Sequence, residues 1–455
     1  MTTPRAELRA QLRLAGPLAA QQVGMVLMGL VDTAMLGHFS ADAMAGAGIA
    51  TGLLFALTCL GSGTLMGLDP LIAQAVGAGD SARTPAILRA GLALAVRLGL
   101  LLTLVVMLSP VLLTVAGVEP DVAAAARVYL YVRALGVVPQ LVQVSLRAFL
   151  LAHGVTRPMI TAAIVGNVAN AVLDGLLIFG DDGLRAIGLP AIGLPALGAI
   201  GAAIATAFVT FAMLLVYRRA VRDVLRRLPA ATTVDEPAVI RRAIVRVGAP
   251  IGLQLFAEVA AFALAAVLAG RLGTVAAAAH QVAIQLASMS FSVALGLGAA
   301  AATRVGLAVG AGDSAGARRA ARVALGLGAM VMSSSALLFT LAPGVLAAGF
   351  GDSAAVTASA ITLVQIAAVF QLSDGAQAIA AGALRGAGDT RAAFVANLIG
   401  HYAVGLPTAL VMAFVLDRGA PGLWWGLTAG LTGTAIALVV RLTWLVNRPI
   451  ARTTI

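Results

Sequence analysis

Long apolar runs, broken by short clusters of arginine, acid, glycine and proline, set the pattern of this chain. A helix crossing the hydrocarbon core needs about 20 mostly apolar residues. Twelve runs qualify: 12–36, 46–76, 86–115, 123–152, 158–179, 197–217, 246–270, 275–308, 320–349, 355–385, 392–415 and 422–446. The fold class this predicts is an all-α polytopic membrane protein with twelve transmembrane helices. The longest runs exceed a bilayer crossing, so those helices tilt or protrude. Pro17, Pro139, Pro250 and Pro407 fall within runs as candidate kinks.

The pattern is written twice. Val76-Gly77-Ala78-Gly79-Asp80-Ser81 recurs as Val309-Gly310-Ala311-Gly312-Asp313-Ser314, and the register of 233 (309 less 76) carries Pro17 onto Pro250, Gln21 onto Gln254 and Gly37 onto Gly270. Thr156-Arg157 returns as Thr390-Arg391 at 234 (390 less 156). An Ala/Gly-rich chain matches itself by chance at single pairs, but not in constant register over several landmarks. Each half holds six spans, an even number, so the halves are parallel repeats about an axis along the membrane normal. The organisation expected is an amino-terminal six-helix lobe over 1–217, a cytoplasmic linker over 218–245 with Pro229, Thr232, Thr233 and Pro237, and a carboxy-terminal lobe over 246–455. A central cavity between two such lobes would suit alternating access.

Charge fixes the orientation. Arginines sit on the tail (Arg5, Arg9, Arg13), after spans two, four, six, eight and ten, and at Arg448 and Arg452. The alternate loops carry Glu119, Asp121, Asp181, Asp182, Asp352 and Asp417 instead. By the positive-inside rule both termini are expected in the cytoplasm, in a multi-pass cell-membrane protein, and in the inner membrane if the source is bacterial.

Composition removes function classes. Hydrophobic residues make up 60% of the 455 and charged residues 11%, against about a quarter charged in a soluble domain. Mean hydropathy is +1.00. All thirty basic residues are arginine. Without lysine there is no Walker A loop and no Schiff base, so the chain is not expected to be its own ATPase. The glycine loops at 77–79 and 310–312 join two helices and lack that lysine, which argues against phosphate cradling. One cysteine, Cys59, excludes an internal disulfide. The net charge of +11 is spread along the chain and aromatics are only 5%, so nucleic acid is not an expected partner. His38, His153, His280 and His401 show no metal-ligand spacing; the first two read as span-end residues and the others as polar packing residues. Arg97 and Arg133 read as snorkelling or bound to backbone carbonyls.

Five carboxylates lie within predicted spans: Asp32, Asp69, Asp174, Glu258 and Asp374. A charge at the bilayer centre costs at least roughly 2.5–3.5 kcal/mol, so each needs a partner, a wet cavity or a proton. Asn167, Asn170 and Asp174 share one helical face at i, i+3 and i+7. With Asp32 at matched depth they offer oxygen ligands to Na⁺, or a carboxylate to a proton; a purely structural polar seam is the alternative. Gln254 lies one turn before Glu258, and Gln371 and Gln377 flank Asp374. These suit a cationic substrate, a proton relay or interhelical hydrogen bonds. Asp69 matches Ala302 in the repeat, two residues before Arg304, which suggests an Asp69–Arg304 latch.

With these residues the chain resembles the multidrug and toxic-compound extrusion (MATE) family over essentially its full length. The segments that carry the resemblance are Val31 to His38, Val76 to Asp80, Ala302 to Gly306 leading into Gly310 to Asp313, and Leu384 to Thr390. The first is similar in tone to the DinF-like branch. The resemblance implies that Asp32 is tied to cation coupling, that Asn170 and Asp174 form the Asn-x-x-x-Asp pair of an amino-terminal-lobe cation site, and that Thr206 is that site's threonine. It also matches Glu258 and Asp374 to acids of the carboxy-terminal lobe in the NorM branch, although Phe370 stands where that branch has a tyrosine. The function it implies is secondary efflux of organic, often cationic, compounds by antiport with H⁺ or Na⁺. No cofactor beyond the coupling ion is expected, the partners are small molecules and the bilayer, and a monomer is expected. A lipid-linked oligosaccharide flippase of the related superfamily is the second reading, against which the span-embedded acids speak. An enzyme is not expected: no HExxH, diphosphate-binding acid cluster in a span, or nucleophile with its base is present.

Overall fold

A computed structural model describes residues 3–115, 117–186, 188–229, 236–350 and 353–453. Asp352 and the linker threonines Thr232 and Thr233 lie outside the described residues. Eleven helices among those described are long and apolar enough to cross a bilayer: α1 (Pro4–Phe39), α2 (Ala41–Gly77), α3 (Ser81–Val115), α5 (Arg157–Phe179), α6 (Ala199–Leu225), α7 (Pro237–Arg271), α8 (Thr274–Gly310), α9 (Ser314–Leu341), α10 (Ala354–Ala387), α11 (Thr390–Val415) and α12 (Gly419–Val446). The remaining expected span, α4, is a broken pair, Pro120–Ala134 and Val137–Ala152, bent by 48° at the break. The bend falls just ahead of Pro139. Twelve all-α spans is what the apolar runs predict. Most of the linker arginines lie on α6 and α7, which continue to Leu225 and begin at Pro237.

The repeated hexapeptide is helix punctuation. Gly79 and Gly312 take left-handed φ of 78° and 72°, where a side chain is disfavoured. Asp80 N donates back to Ala75 O at 3.0 Å, and Asp313 N to Ala308 O at 2.9 Å, closing each helix in a Schellman turn. Asp313 then caps α9 by accepting from Gly316 N at 2.7 Å. Gly154 and Gly388, also in repeat register, close α4 and α10 in the same way. The glycines thus serve backbone geometry.

The chain forms two compact units. One, the amino unit, contains Val23–Leu68 and Ala82–Val245; the other, the carboxy unit, contains Met1–Gln22, Asp69–Ser81 and Arg246–Ile455. In the amino unit α5 packs on α6, the first half of α4 on α2, and the second half of α4 on both α3 and α6. Gly201 lets α6 approach the backbone of α5: a Cβ there would stand 2.4 Å from Leu177 O.

In the carboxy unit the main contact joins α8 to α10. Lipid tails are as apolar as leucine, so helices in a bilayer associate through close packing, which small residues permit. Gly298 faces Ala378 O, Gly382 faces Gly298 O and Gly386 faces Ala302 O, each too close for a Cβ. The last segment of α2 joins this unit from Asp69 onward and crosses α8 reciprocally. A Cβ on Gly77 would meet Leu307 O at 2.0 Å, and one on Gly310 would meet Gln74 O at 2.1 Å. Residues 74 and 307, and 77 and 310, are repeat partners, so the crossing has its own twofold, with Ala73 facing its partner Gly306.

The Asp69–Arg304 latch does not form. Arg304 Nε donates to Glu7 Oε1 at 2.8 Å in a two-pronged pair, while Asp69 lies 3.9 Å from Arg385. The reason is helical phase. Ala302 and Gly306 face α10 and α2, and Arg304, about 200° round from Ala302, points to α1 instead.

Candidate functional site

In the amino unit α1, α5 and α6 bring three sequence-predicted residues into one buried group. Thr206 Oγ1 on α6 donates to Asp32 Oδ2 on α1 at 3.1 Å. The same hydroxyl reaches Ala202 O at 2.9 Å, one turn back on its own helix. The Asp174 carboxyl, fully buried on α5, faces that of Asp32. Both oxygens of Asp174, the other oxygen of Asp32, and both amide atoms of Asn170 have no hydrogen-bond partner among the described residues. Two carboxylates supply acceptors only, so the pair is satisfied by a shared proton or by a cation drawing on these oxygens. Asn167 is different: its Nδ2 donates to Ala163 O at 2.8 Å, within α5.

Tyr129, on the first half of α4 and buried, stands within electrostatic reach of both carboxylates and of Arg133. Thr51 Oγ1 donates to its hydroxyl at 3.5 Å. Tyr129 is not singled out by the sequence, in which Arg133 reads as snorkelling or bound to backbone carbonyls. The available signal was their i, i+4 spacing.

The carboxy unit holds a second buried acidic group. Glu258 on α7 accepts from Gln377 Nε2 on α10 and from Asn397 Nδ2 on α11, each at 3.1 Å. Asp374 and His401 lie within electrostatic reach of Glu258. His401 Nδ1 sits 3.1 Å from Asn397 O, and its Nε2 has no partner among the described residues. Its ring packs edge-on against Phe262, as a packing residue would. His401 lies in a π-helical stretch, Ile399–Gly405, a device frequent at functional sites. Gln371 is turned elsewhere, accepting from Ser335 Oγ at 2.9 Å. Gln254 is buried on the same helix as Glu258. Phe370 packs edge-on against Phe262 and Trp424, so an apolar cluster occupies the place of a phenol. His280 packs near the same tryptophan, as a packing residue would.

The sequence model of the family described as MatE matches this chain twice, over residues 17–176 and 250–411. The chain belongs to the MATE family. The two matches begin at Pro17 and Pro250, the prolines that mark the repeat. A protein of Pseudomonas putida named probable multidrug resistance protein NorM is 36% identical over 454 residues, covering 98% of this chain and 96% of that one. The multidrug resistance protein MdtK of Edwardsiella ictaluri is 33% identical, covering 97% and 96%. Among solved structures, a eukaryotic MATE transporter superposes with a TM-score of 0.87 at 22% identity, over 97% of this chain and 96% of that one. A multidrug resistance MATE family transporter in an outward-facing conformation gives 0.85 at 20%, over 97% and 96%. These likenesses establish a shared fold.

Within this MATE chain the two acidic groups are related by the repeat. Subtracting the register from Glu258, Asn397 and His401 gives positions 25, 163 and 167, each seven residues before Asp32, Asn170 and Asp174. Each unit thus sets a carboxylate on its first span against an Asn-x-x-x-titratable pair on its fifth. In the carboxy unit the group stands two turns earlier along its own helices, with histidine where the amino unit has Asp174.

Proposed function

We propose that this protein is a secondary multidrug efflux transporter, exporting organic and often cationic compounds by antiport with H⁺ or Na⁺. The NorM and MdtK names of its relatives support drug efflux. The observation that carries the coupling is the facing Asp32–Asp174 pair, buried with four unpartnered carboxyl and amide oxygens between Asp32, Asn170 and Asp174. Such a pair binds one positive charge, and Thr206 reads whether Asp32 carries it. In alternating access between the halves 1–217 and 246–455, joined by 218–245, a cation that favours one state drives the cycle only because drug favours the other. Glu258, Asp374 and Gln377, with Gln254 and Gln371 nearby in the chain, form the secondary cation or substrate group. Cytoplasmic termini, a cell-membrane location (the inner membrane if the source is bacterial) and a monomeric state complete the reading.

The test is efflux of a cationic dye from proteoliposomes under an imposed pH or Na⁺ gradient. Flux that follows either gradient is expected. Flux indifferent to both would overturn the antiport assignment. Movement of a lipid-linked oligosaccharide in the same vesicles would favour the flippase instead.

A further inference from the structure

A cavity of about 520 Å³ opens in the amino unit, away from its carboxylates, between the start of α3 and the end of α6. The second half of α4 packs on both helices, and its Leu146 lines the cavity between them. Each wall is a helical stripe. On α3, Leu88, Arg89 and Leu92 face in; on α6, Arg218, Arg222 and Leu225 do so at i, i+4 and i+7. The three guanidinium groups are exposed, no acidic residue lines the cavity, and no ion pair engages them among the described residues. The acid nearest in sequence, Asp223, is 3.8 Å from Arg226, outside the groove.

Three unpaired cations above leucine walls do not suit a cationic drug. They do suit an amphiphile with an anionic head and an aliphatic body, and helices that span a bilayer have such a molecule beside them. Guanidinium forks match phosphate oxygens in pairs. Basic pockets between spans at the cytoplasmic surface are sites where anionic headgroups settle. We infer that this groove is a binding site for an anionic phospholipid, its phosphate held by Arg89, Arg218 and Arg222 and its chains laid along the leucines of α3 and α6.

The test is native mass spectrometry of the full chain, purified in detergent and titrated with phosphatidylglycerol. A variant carrying Arg89→Gln, Arg218→Gln and Arg222→Gln is compared with a charge-matched control carrying Arg219→Gln, Arg226→Gln and Arg227→Gln. One arginine near an anionic surface is worth roughly fivefold in affinity, so the groove variant should bind about 100-fold more weakly. The single change Arg222→Gln should cost about fivefold on the same scale. The control should bind as the unaltered chain does, and phosphatidylcholine should bind neither tightly nor differently among the three. Equal losses in the groove and control variants would overturn the site, as would phosphatidylcholine binding as tightly as phosphatidylglycerol. Displacement of the lipid by excess inorganic phosphate would mark a free-anion site and overturn the lipid assignment. Unchanged melting of the groove variant in lipid-free detergent is expected, and keeps a folding defect from passing for lost binding.

Discussion

Thr206 has one hydroxyl proton and two acceptors in reach, Asp32 Oδ2 and Ala202 O. A charged Asp32 draws that proton; an Asp32 that has taken up a cation or proton releases it to Ala202. Asp32→Asn is therefore expected to abolish gradient-driven dye efflux while the purified protein melts as before, and normal efflux in that variant would sink the coupling role. Thr206→Ser should retain most of the flux. Thr206→Ala removes a bond made to the charged, empty acid, so it should lower the cation concentration needed for half-maximal efflux several-fold, by about the 0.5–1.5 kcal/mol net worth of one hydrogen bond. Glu258 makes a different demand. Both its oxygens accept from amides whose own oxygens lack partners among the described residues, so in Glu258→Gln one of those amides turns over to accept from the new NH₂. A loss of no more than about 1 kcal/mol is expected, read as slightly earlier melting in detergent. These side chains were legible as candidates because an acid in an apolar run is conspicuous. Their partners were less so: Tyr129, Asn397 and His401 are ordinary in sequence and gain meaning only from the helix that faces them.

Among the elements, the hydropathy pattern revealed the spans, and the prolines within them marked only some interruptions: Pro139 and Pro407 do, whereas α1 and α7 run on through Pro17 and Pro250. A turn at Met66–Gly67 splits α2 before Pro70, and α11 passes through two π-helical stretches, Ile399–Gly405 and Val411–Val415, around Pro407. Neither alters the apolar character of its run, since what changes is only which carbonyl each N–H meets. The reciprocal crossing of α2 and α8 was hidden in plain view, because a repeated glycine announces itself in sequence while its contact does not. At that crossing Gly77→Val and Gly310→Val should each destabilise by about 1–3 kcal/mol or more, since helix backbones must part. Gly79→Ala and Gly312→Ala meet open space and carry only the left-handed backbone penalty, about 1–2 kcal/mol. Asparagine at either position should recover part of it, and melting of the matched pairs checks both expectations. Outside the spans, Asp181 accepts from the N–H groups of Ile192, Leu194 and Gly193, which holds its carboxyl below the usual range. A depressed acid stabilises the fold above its unfolded pKa and loses that contribution as pH falls through the folded one. The N–H groups of Ile192, Gly193 and Leu194 should therefore keep their hydrogen-exchange protection at neutral pH and lose it only in strongly acidic solution, whereas Asp181→Asn should weaken it at neutral pH.

For the molecule as a whole, duplication was readable from six residues and a constant register, and the double match of the family model bears it out. What the register did not disclose is that the carboxy unit takes two pieces of the first half, Met1–Gln22 and Asp69–Ser81. Nor did it show that the buried acids follow the repeat only after a slide of seven residues. Positions aligned by the duplication, Asp32 with Ala265 and Glu258 with Met25, therefore carry no matching charge. Two copies of one scaffold have come to hold charge at different heights along their own helices, one with a carboxylate as its third member and the other with an imidazole. The local twofold at Ala73 and Gly306 has a practical side. Cys59 is the chain's sole cysteine, so Cys59→Ala leaves a background free of thiols. Adding Ala73→Cys and Gly306→Cys there would seat two thiols face to face, where a disulfide forms once the helices ease apart by about an ångström. Oxidation would then tie the first half of the chain to the second at this crossing and a reductant would free it, turning a glycine contact into a reversible rivet; dye flux with the rivet closed and open measures whether efflux needs the crossing to part.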